Sequence, residues 1–353
     1  MSLALLQAKK VIGNTKINPA VGCIIVKNDS VVGAAHTSFN GRPHAEHNAI
    51  INSKENVKNS DMYITLEPCS HYGKTPPCVK TIIKNKVRKV FFSLKDPDYR
   101  SFNKSTKQFK KKSIKVLNGI LYKDTKNFYR SYFTYKDNKL PFVTAKMAIS
   151  KDFYTKNKRE KWITNNFSRG RVHLMRSNHD CIITSHKTVL DDNPNLNCRI
   201  PGLEDHSPCR IILDKNLKMP LKSNIVKSAN KHRTIIFFNK IKSNKIDFLR
   251  KSKIMLVKFP LNSNGDFILE NVLKKVKLLG FSRIFLETGL NLTTSFLKRK
   301  LINDFQLFVS KKNLGINGSK SFKKNMGLFL KNKMFIHEKV NLFGDKLISY
   351  RIK

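Results

Sequence analysis

Two cysteines that each follow a proline stand in the segment TLEPCSHYGKTPPC, residues 65–78. Upstream, the tetrapeptide PHAE places His44 and Glu46 where an apolar periodic segment, and therefore a helix, is predicted to begin. Imidazole and thiolate groups bind zinc, and a catalytic zinc takes three protein ligands and leaves one position for water. His44, Cys69 and Cys78 therefore predict a zinc site, with Glu46 placed to carry a proton from water to a departing amine.

The order of these residues matters more than the distance between the cysteines. The eight residues between Cys69 and Cys78 are more than a usual zinc knuckle contains, so spacing alone does not distinguish ligands from core residues. The combination His-x-Glu with Pro-Cys, however, is typical of zinc-dependent nucleobase deaminases. Cys78 is also predicted to open a helix, whose N-terminus favours thiolate. Cys23 and Cys181, in apolar strand patterns, are predicted to be core residues.

The chain is strongly basic, with 69 basic and 24 acidic residues and a formal charge of +45. Such a charge ordinarily indicates a nucleic-acid partner. Here the lysines are spread through every segment beside many Asn, Ile and Phe residues, a composition typical of an AT-rich genome. We therefore expect no specific nucleic-acid partner, although a cationic surface would attract phosphorylated substrates.

Cysteine usage and hydropathy predict where the chain works. Six cysteines in a long chain without a recognisable secretory leader predict free thiols in a reducing cytoplasm. The longest apolar runs are too short to cross a bilayer, so no membrane partner is expected. The N-terminal segment is predicted to be a first helix rather than a signal peptide.

The length of 353 residues predicts two domains. Strands alternate with helices in both halves, which is typical of α/β folds. Polar and turn-forming residues before Pro141 interrupt this alternation and predict domains at 1–139 and 140–353. Strands are predicted at 21–27, 31–35, 62–66, 89–94, 142–149, 181–184, 209–214, 234–238, 254–259 and 283–287, and helices near 2–12, from 44, after 78, at 167–176 and at 271–279.

The first-half motifs NPAVG (18–22), PHAE (43–46) and TLEPCSHYGKTPPC (65–78) resemble the bifunctional deaminase–reductases of riboflavin synthesis. The resemblance implies a cytidine-deaminase-like three-layer domain in which both cysteines are zinc ligands. It also implies that Asn18, His71 and Lys74 face the ribose-phosphate side of the substrate.

The second half continues the resemblance through FVTAKMAISKD (142–152), KWIT (161–164), TVLDDNPNLNCR (188–199) and IFLETG (284–289). A dihydrofolate-reductase-like domain that uses NADPH is thereby implied, in keeping with the absence of a G-x-G-x-x-G fingerprint. The residues implied to contact the dinucleotide are Trp162, Thr188 and Asp192. Thr288 and Gly289 follow the apolar strand that ends at Glu287, and a strand-to-helix turn there would place their backbone N–H groups on a cofactor phosphate. Those implied to line the substrate pocket are Lys146, Arg176, Leu196, Arg199 and Glu287.

Taken together, the resemblance implies a cytoplasmic enzyme with one Zn²⁺ per chain. Its first domain would deaminate 2,5-diamino-6-(5-phosphoribosylamino)pyrimidin-4(3H)-one. Its second domain would use NADPH to reduce 5-amino-6-(5-phosphoribosylamino)uracil to the ribitylamino product. The resemblance also implies a homo-oligomer, dimeric or larger.

The chain departs from the family pattern mainly in the second half. Phe153 replaces the glycine of S-L-D-G, charged residues at 158–161 replace a Gly-x-Ser, and Leu290 replaces a proline. In the first half, the segment from Asp96 lacks two glycines. Two alternatives therefore stay open: a deaminase with a catalytically silent second domain, and a tRNA-editing type of nucleic-acid deaminase.

Overall fold

The computed structural model describes residues 1–137, 140–239 and 243–353. The chain forms two compact units, Met1–Lys139 and Leu140–Lys353. The polar segment predicted to separate the two domains includes residues 138–139, which lie outside the described residues.

The first unit is built on a five-stranded sheet in the order β2-β1-β3-β4-β5. Strand β1 is antiparallel to both of its neighbours, whereas β3, β4 and β5 are parallel. The strands are β1 (Gly22–Lys27), β2 (Ser30–His36), β3 (Asp61–Leu66), β4 (Lys89–Leu94) and β5 (Lys115–Asn118), and the helices are α1 (Ser2–Lys9), α2 (Ala45–Ile51), α3 (Cys78–Lys84), α4 (Lys104–Lys110), α5 (Tyr122–Phe128) and α6 (Arg130–Asp137).

Two glycines show that helices cover both faces of this sheet. A Cβ atom on Gly22 of β1 would lie 1.8 Å from the carbonyl oxygen of Ala4 in α1. Gly33 of β2 approaches the carbonyl oxygen of Ala49 in α2 in the same way, at 2.6 Å, and it pairs with Ile25 of β1. Side chains alternate along a strand, so Gly22 and Ile25 face opposite sides. Helices α1 and α2 therefore pack on opposite faces and complete the three predicted layers.

The second unit has a nine-stranded sheet in the order β11-β10-β9-β8-β12-β6-β13-β16-β15, and a small antiparallel pair, β14-β7. The strands are β6 (Phe142–Ile149), β7 (Tyr154–Asn157), β8 (Cys181–Ser185), β9 (Cys209–Leu213), β10 (Thr234–Phe238), β11 (Met255–Lys258), β12 (Arg283–Glu287), β13 (Asp304–Val309), β14 (Gly318–Ser321), β15 (Met334–His337) and β16 (Lys346–Arg351), and the helices are α7 (Asn166–Ser177), α8 (His186–Asp192), α9 (Asn224–Lys227), α10 (Ser243–Lys251), α11 (Leu269–Leu278), α12 (Leu290–Lys298) and α13 (Phe322–Leu330).

The central strands of this sheet are parallel and buried on both faces. Ile182, Ile183, Ile211 and Phe237 are fully buried, as continuous apolar runs predict for such strands. Among the described residues of this sheet, the antiparallel pairs are β13 with β16 and β16 with β15. In open parallel sheets, ligands bind beyond the carboxyl ends of the strands. The carboxyl ends of β6, β8 and β12, which are adjacent in this sheet, are therefore the expected binding site for a cofactor or substrate.

All ten predicted strands are present within one or two residues of their predicted ends. Helix α1 ends at Lys9, earlier than predicted, and His44 precedes α2 as its N-cap instead of lying in its first turn. The fully buried side chains of Cys23 and Cys181 confirm their assignment to the core. All six cysteines are free thiols. Within the described ranges, none of the helices has the length and apolar character required to cross a bilayer.

Two positions where the family pattern has glycine keep a glycine-type backbone. Phe153 has φ of 68° and Asn103 has φ of 57°, both in the left-handed region. Asparagine tolerates this region well, whereas a bulky residue is strained there. The loop at Phe153 therefore adopts a backbone conformation that suits glycine, with local strain at the phenylalanine.

Replacing Phe153 by glycine is expected to stabilise the second unit. Relief of the left-handed strain, offset by the greater freedom of glycine in the unfolded chain, should raise the free energy of unfolding by about 0.5–1 kcal/mol. Thermal unfolding followed by calorimetry measures this change. Phe153→Ala is the matched control, because alanine keeps the Cβ atom that causes the strain. A lower melting temperature for Phe153→Gly than for Phe153→Ala would contradict the prediction.

Candidate metal and cofactor sites

The three predicted zinc ligands converge in the first unit. The ligand atoms of His44, Cys69 and Cys78 all lie within 4.8 Å of one another. Nδ1 of His44 lies 3.3 Å from Sγ of Cys78 and 3.5 Å from Sγ of Cys69. Residues 25 and 34 positions apart in the chain are thus brought together with their donor atoms facing a common point.

The ends of three elements position these ligands. His44 is the N-cap of α2, Cys78 is the first residue of α3 as predicted, and Cys69 follows the carboxyl end of β3. The two ends of the loop between the cysteines are held together, because the backbone N–H of Cys78 donates to Sγ of Cys69 at 3.3 Å. The N–H of Val79 also donates to the carbonyl of Cys69 at 3.2 Å.

The electrostatics of this cluster favour an anionic sulfur. Hydrogen bonds from Cys78 and His44 lower the pKa of Cys69 to about 4, against the effect of its burial. Burial alone would lower the pKa of His44, but its hydrogen bond to Cys69 and the nearby Glu46 raise it. Burial raises the pKa of Glu46 to about 7. A thiolate beside a carboxyl group that titrates near neutral pH suits proton transfer.

This donor set fits zinc. One imidazole and two thiol groups are a known catalytic zinc combination, and three protein ligands leave a position open. Glu46 is 3% exposed and interacts with Cys78, so its carboxylate lies beside the cluster.

The residues expected on the ribose-phosphate side flank the cluster in different ways. Asn18 donates from Nδ2 to the carbonyl of Gly41, three residues before His44, at 2.9 Å. Nδ1 of His71 lies 3.0 Å from Oγ of Ser101. Lys74 is exposed in the loop between the cysteines.

Gly41→Ala is expected to weaken substrate binding by the first unit. Gly41 has φ of 89°, and an added Cβ atom would lie 2.5 Å from Nδ2 of Asn18 and 2.6 Å from the carbonyl oxygen of Thr15. The Asn18 loop must therefore move, which should raise KM for deamination by about tenfold or more. Steady-state ammonia release measures this, and zinc content serves as the control for an intact metal site. An unchanged KM would contradict a substrate-facing role for this loop.

Two positioning residues escaped the sequence interpretation. Glu67, inside the TLEPC segment, accepts from the backbone N–H groups of Asp96 and Asn103 and from Oγ of Ser105. It thereby holds the loop that carries Ser101, the partner of His71. The only sequence signal for this role was a carboxylate placed between Leu66, the last residue of a predicted strand, and Pro68.

The second is Tyr129, which is fully buried between α5 and α6. Its hydroxyl lies 2.6 Å from Oγ1 of Thr65 and donates to the carbonyl of Ala20 at 2.9 Å. Thr65 in turn accepts from the N–H of Gly22 at 3.0 Å. Tyr129 thus fixes the strand end that follows Asn18, a contact across 109 residues with no local sequence signal.

In the second unit, three of the predicted substrate residues meet around Glu287, the last residue of β12. Lys146 of β6 is in register with Glu287 of β12. Both carboxylate oxygens of Glu287 accept from Arg176 of α7, each at 2.9 Å. Although burial would raise the pKa of Glu287, Arg176 and Lys146 lower it to about 2. Arg176 therefore pairs with Glu287 and does not stand free for a phosphate.

Leu196 and Arg199 lie in the loop beside this ion pair. Leu196 is buried with φ of 53°, and the carbonyl of Asn197 accepts from Nη1 of Arg176 at 3.0 Å. Arg199 is exposed, and its Nη1 donates to Oδ1 of Asn197 at 2.9 Å. His173, which was not predicted, accepts from the N–H of Arg199 at 3.2 Å. Arg199 is thus better placed than Arg176 to meet an anion.

The predicted dinucleotide residues form two groups. Oγ1 of Thr188 lies 3.3 Å from Oγ1 of Thr288 and 3.2 Å from Oγ of Ser185, a hydroxyl cluster at the ends of β8 and β12. Gly289 is the N-cap of α12, with open space where a Cβ atom would stand. Asp192, at the end of α8, is exposed, and burial raises its pKa.

Trp162 lies at a separate pocket of about 520 Å³. Trp162 is 52% exposed, and the guanidinium of Arg169 and the amine of Lys161 lie 5.0 Å and 5.4 Å from the centre of its ring. Asp192 interacts electrostatically with Lys161, which lines this pocket, and with Lys146, the strand neighbour of Glu287.

Family models match both units. The model described as the RibD C-terminal domain matches residues 141–339, more than half of the chain. The model described as the cytidine and deoxycytidylate deaminase zinc-binding region matches residues 1–94, which include His44, Cys69 and Cys78.

Curated relatives and solved structures extend over nearly the whole chain. Riboflavin biosynthesis protein RibD of Actinobacillus pleuropneumoniae is 33% identical over 89% of this chain and 84% of its own length, and that of Aquifex aeolicus is 32% identical over 89% and 87%. The crystal structure of a diaminohydroxyphosphoribosylaminopyrimidine deaminase/5-amino-6-(5-phosphoribosylamino)uracil reductase from Thermotoga maritima is 27% identical with a TM-score of 0.85, covering 99% of this chain and 97% of that one. A structure of Acinetobacter baumannii RibD is 26% identical with a TM-score of 0.84 and the same coverage. The chain therefore belongs to the RibD family and is a bifunctional deaminase and reductase of riboflavin biosynthesis.

Proposed function

We propose that the first unit hydrolyses the exocyclic amine of 2,5-diamino-6-(5-phosphoribosylamino)pyrimidin-4(3H)-one, with one zinc ion held by His44, Cys69 and Cys78. The observation that carries this assignment is the convergence of these three ligand atoms within 4.8 Å beside the buried Glu46. When bound, zinc acidifies a water molecule at neutral pH.

Glu46 moves the proton in this reaction. The oxygen of the attacking water bonds to the carbon that bears the amine, and the bond from that carbon to the amine nitrogen breaks. The carboxylate of Glu46 carries one water proton to the amine nitrogen, which leaves as ammonia, while the second water proton passes to the neighbouring ring nitrogen. The pKa of about 7 suits this exchange, because the group gains and loses a proton at similar cost near neutral pH. Asn18, His71 and Lys74 orient the ribose phosphate, with Asn18 fixed through Gly41 and His71 through Ser101.

Metal content tests the ligand assignment. Wild-type protein should carry about one zinc per chain, and Cys78→Ser should lose both zinc and ammonia release while reduction persists. Cys23→Ser, at a fully buried cysteine outside the cluster, is the matched control and should retain its zinc. Full zinc occupancy in Cys78→Ser would contradict the assignment.

For the second unit, we infer reduction of the ribosyl group of 5-amino-6-(5-phosphoribosylamino)uracil. NADPH, when bound, supplies the hydride. Lys146, Glu287 and Arg176 form the floor of the substrate pocket, and Leu196 and Arg199 line its side. Arg199 meets the phosphate, because Arg176 is committed to Glu287.

The dinucleotide lies along Trp162, Asp192, Thr188 and Thr288, with Gly289 at the start of α12. Backbone N–H groups at a helix N-terminus favour phosphate, and the absent side chain of Gly289 leaves room for it. The left-handed Phe153 supports an active reductase over a silent domain, because its loop keeps the conformation that glycine would adopt.

We infer that the enzyme works in the cytoplasm as a homo-oligomer. Six free thiols suit a reducing compartment. The edge strand β15 exposes Met334, Phe335 and Ile336, and an unpaired apolar edge is a ready surface for a second chain. Sedimentation velocity measures the assembly, and a monomer at micromolar concentration would contradict it.

A further inference from the structure

Arg210 in β9 is a buried arginine outside the predicted site. It is 0% exposed, and it is the largest fully buried side chain among the described residues. Its guanidinium donates to five neutral oxygen atoms at 2.7–3.1 Å. The acceptors are Oγ1 of Thr234, Oγ of Ser228 and the carbonyls of Asn195, Ile225 and His232.

The stability of the folded unit gives little reason for a buried guanidinium at position 210. Burial lowers the pKa of Arg210 to about 10, and no carboxylate of the described residues opposes that effect. A buried charge costs free energy that an apolar side chain of similar volume would avoid. What the guanidinium does provide is a planar fork of five donors that can hold several chain segments in one arrangement.

The segments held by Arg210 converge on the loop 193–199. Nη1 reaches the carbonyl of Asn195 at 3.1 Å, and the same nitrogen donates to Ser228 at 2.8 Å, just beyond α9. The loop is fixed a second time from α9, because Asn224 donates its backbone N–H to Oδ1 of Asn193 at 2.8 Å and its side-chain amide to the carbonyl of Asn193 at 2.9 Å.

The other side of this loop meets the ion pair at the strand ends. Two residues after Asn195, the carbonyl of Asn197 accepts from Nη1 of Arg176 at 3.0 Å, and Arg176 holds both oxygens of Glu287. A continuous series of direct contacts therefore runs from Arg210 through the loop to the proposed substrate pocket.

We propose that Arg210 is a positioning residue of the reductase: it fixes the loop 193–199 so that Asn197 orients Arg176 on Glu287 and Leu196 and Arg199 meet the substrate. The proposal rests on the substrate pocket proposed above. It predicts an effect on the ribosyl substrate, since Arg210 contacts none of the residues assigned to NADPH.

The test compares three variants of the full-length protein in steady-state reduction. Arg210→Met keeps the volume and removes the donors; KM for 5-amino-6-(5-phosphoribosylamino)uracil should rise about tenfold, with KM for NADPH within about twofold of wild type. Thr234→Val removes one acceptor and should give a smaller rise of about threefold, a readout that remains if Arg210→Met does not fold. Val272→Ala, at a fully buried position of α11, is a destabilised control and should change neither constant.

The outcomes separate the proposal from the pocket on which it rests. Glu287→Gln serves as the reference for the pocket itself. If Glu287→Gln leaves reduction unaltered, the pocket assignment is wrong and the role of Arg210 falls with it. If Glu287→Gln impairs reduction but Arg210→Met and Thr234→Val match Val272→Ala, Arg210 is structural only. A parallel rise in KM for NADPH would likewise overturn selective positioning.

Discussion

Glu46→Gln is expected to lower kcat for ammonia release by about 10²–10⁴-fold, the usual contribution of a positioned general acid–base group. Glutamine has nearly the same shape as glutamate, and Glu46 is 3% exposed beside Cys78, so the site should keep its geometry. The amide cannot accept and return the proton that the hydrolysis requires. The loss should therefore appear in kcat, with little change in substrate KM.

Two controls make the Glu46 result specific. Zinc content should remain at the wild-type value, because the three ligands are untouched. The rate of NADPH oxidation with the deaminated substrate should also be unchanged, because that reaction belongs to the second unit. Ammonia release within a few-fold of wild type would contradict the role of Glu46 as the proton carrier.

Glu287→Gln is expected to impair reduction and to destabilise the second unit. The substitution leaves Arg176 and Lys146 as two positive charges without their shared carboxylate, at a site where the side chains of Arg176 and Glu287 are 11% and 17% exposed. Removing one member of a buried ion pair costs about 3–5 kcal/mol. Reduction should fall by at least about tenfold, because Arg176 loses the partner that orients it.

The pH dependence of unfolding identifies the charge as the cause. The folded-state pKa of Glu287 is about 2, below its ordinary value of 4.5. Because this pKa is lowered in the folded state, the ionised carboxylate stabilises the fold at pH values above 4.5. This stabilisation, about 3 kcal/mol in all, is lost as the pH falls toward 2. The difference in unfolding free energy between wild type and Glu287→Gln should therefore be largest near neutral pH and shrink below pH 4.5. A difference independent of pH would show that shape, and not charge, is responsible.

Much of the first unit could be predicted because its signals are local. His44, Cys69 and Cys78 each stand at the end of an element that the sequence indicates, and element ends are where a layered α/β fold gathers its ligands. The strand predictions succeeded for a related reason: runs of buried apolar residues between turn-forming residues have few alternative structures.

What could not be predicted depends on long-range pairing. The bidentate contact of Arg176 with Glu287 joins residues 111 positions apart, and neither residue carries a local sign that the other is its partner. Arg210 sits in an apolar strand with nothing to show that five oxygen atoms from distant segments surround it. At Phe153 the local signal is misleading, because the backbone adopts a glycine-type conformation that phenylalanine disfavours.

The most direct test of the account is a two-stage assay on wild-type, zinc-replete protein. The diaminopyrimidinone ribosyl phosphate is supplied first and ammonia is quantified; NADPH is then added and its absorbance followed. We expect ammonia before any NADPH is present, and NADPH oxidation only with the deaminated product. Failure to release ammonia would contradict the central claim of a zinc-dependent deaminase, whereas ammonia without NADPH oxidation would leave the zinc site intact and refute the proposed reductase site.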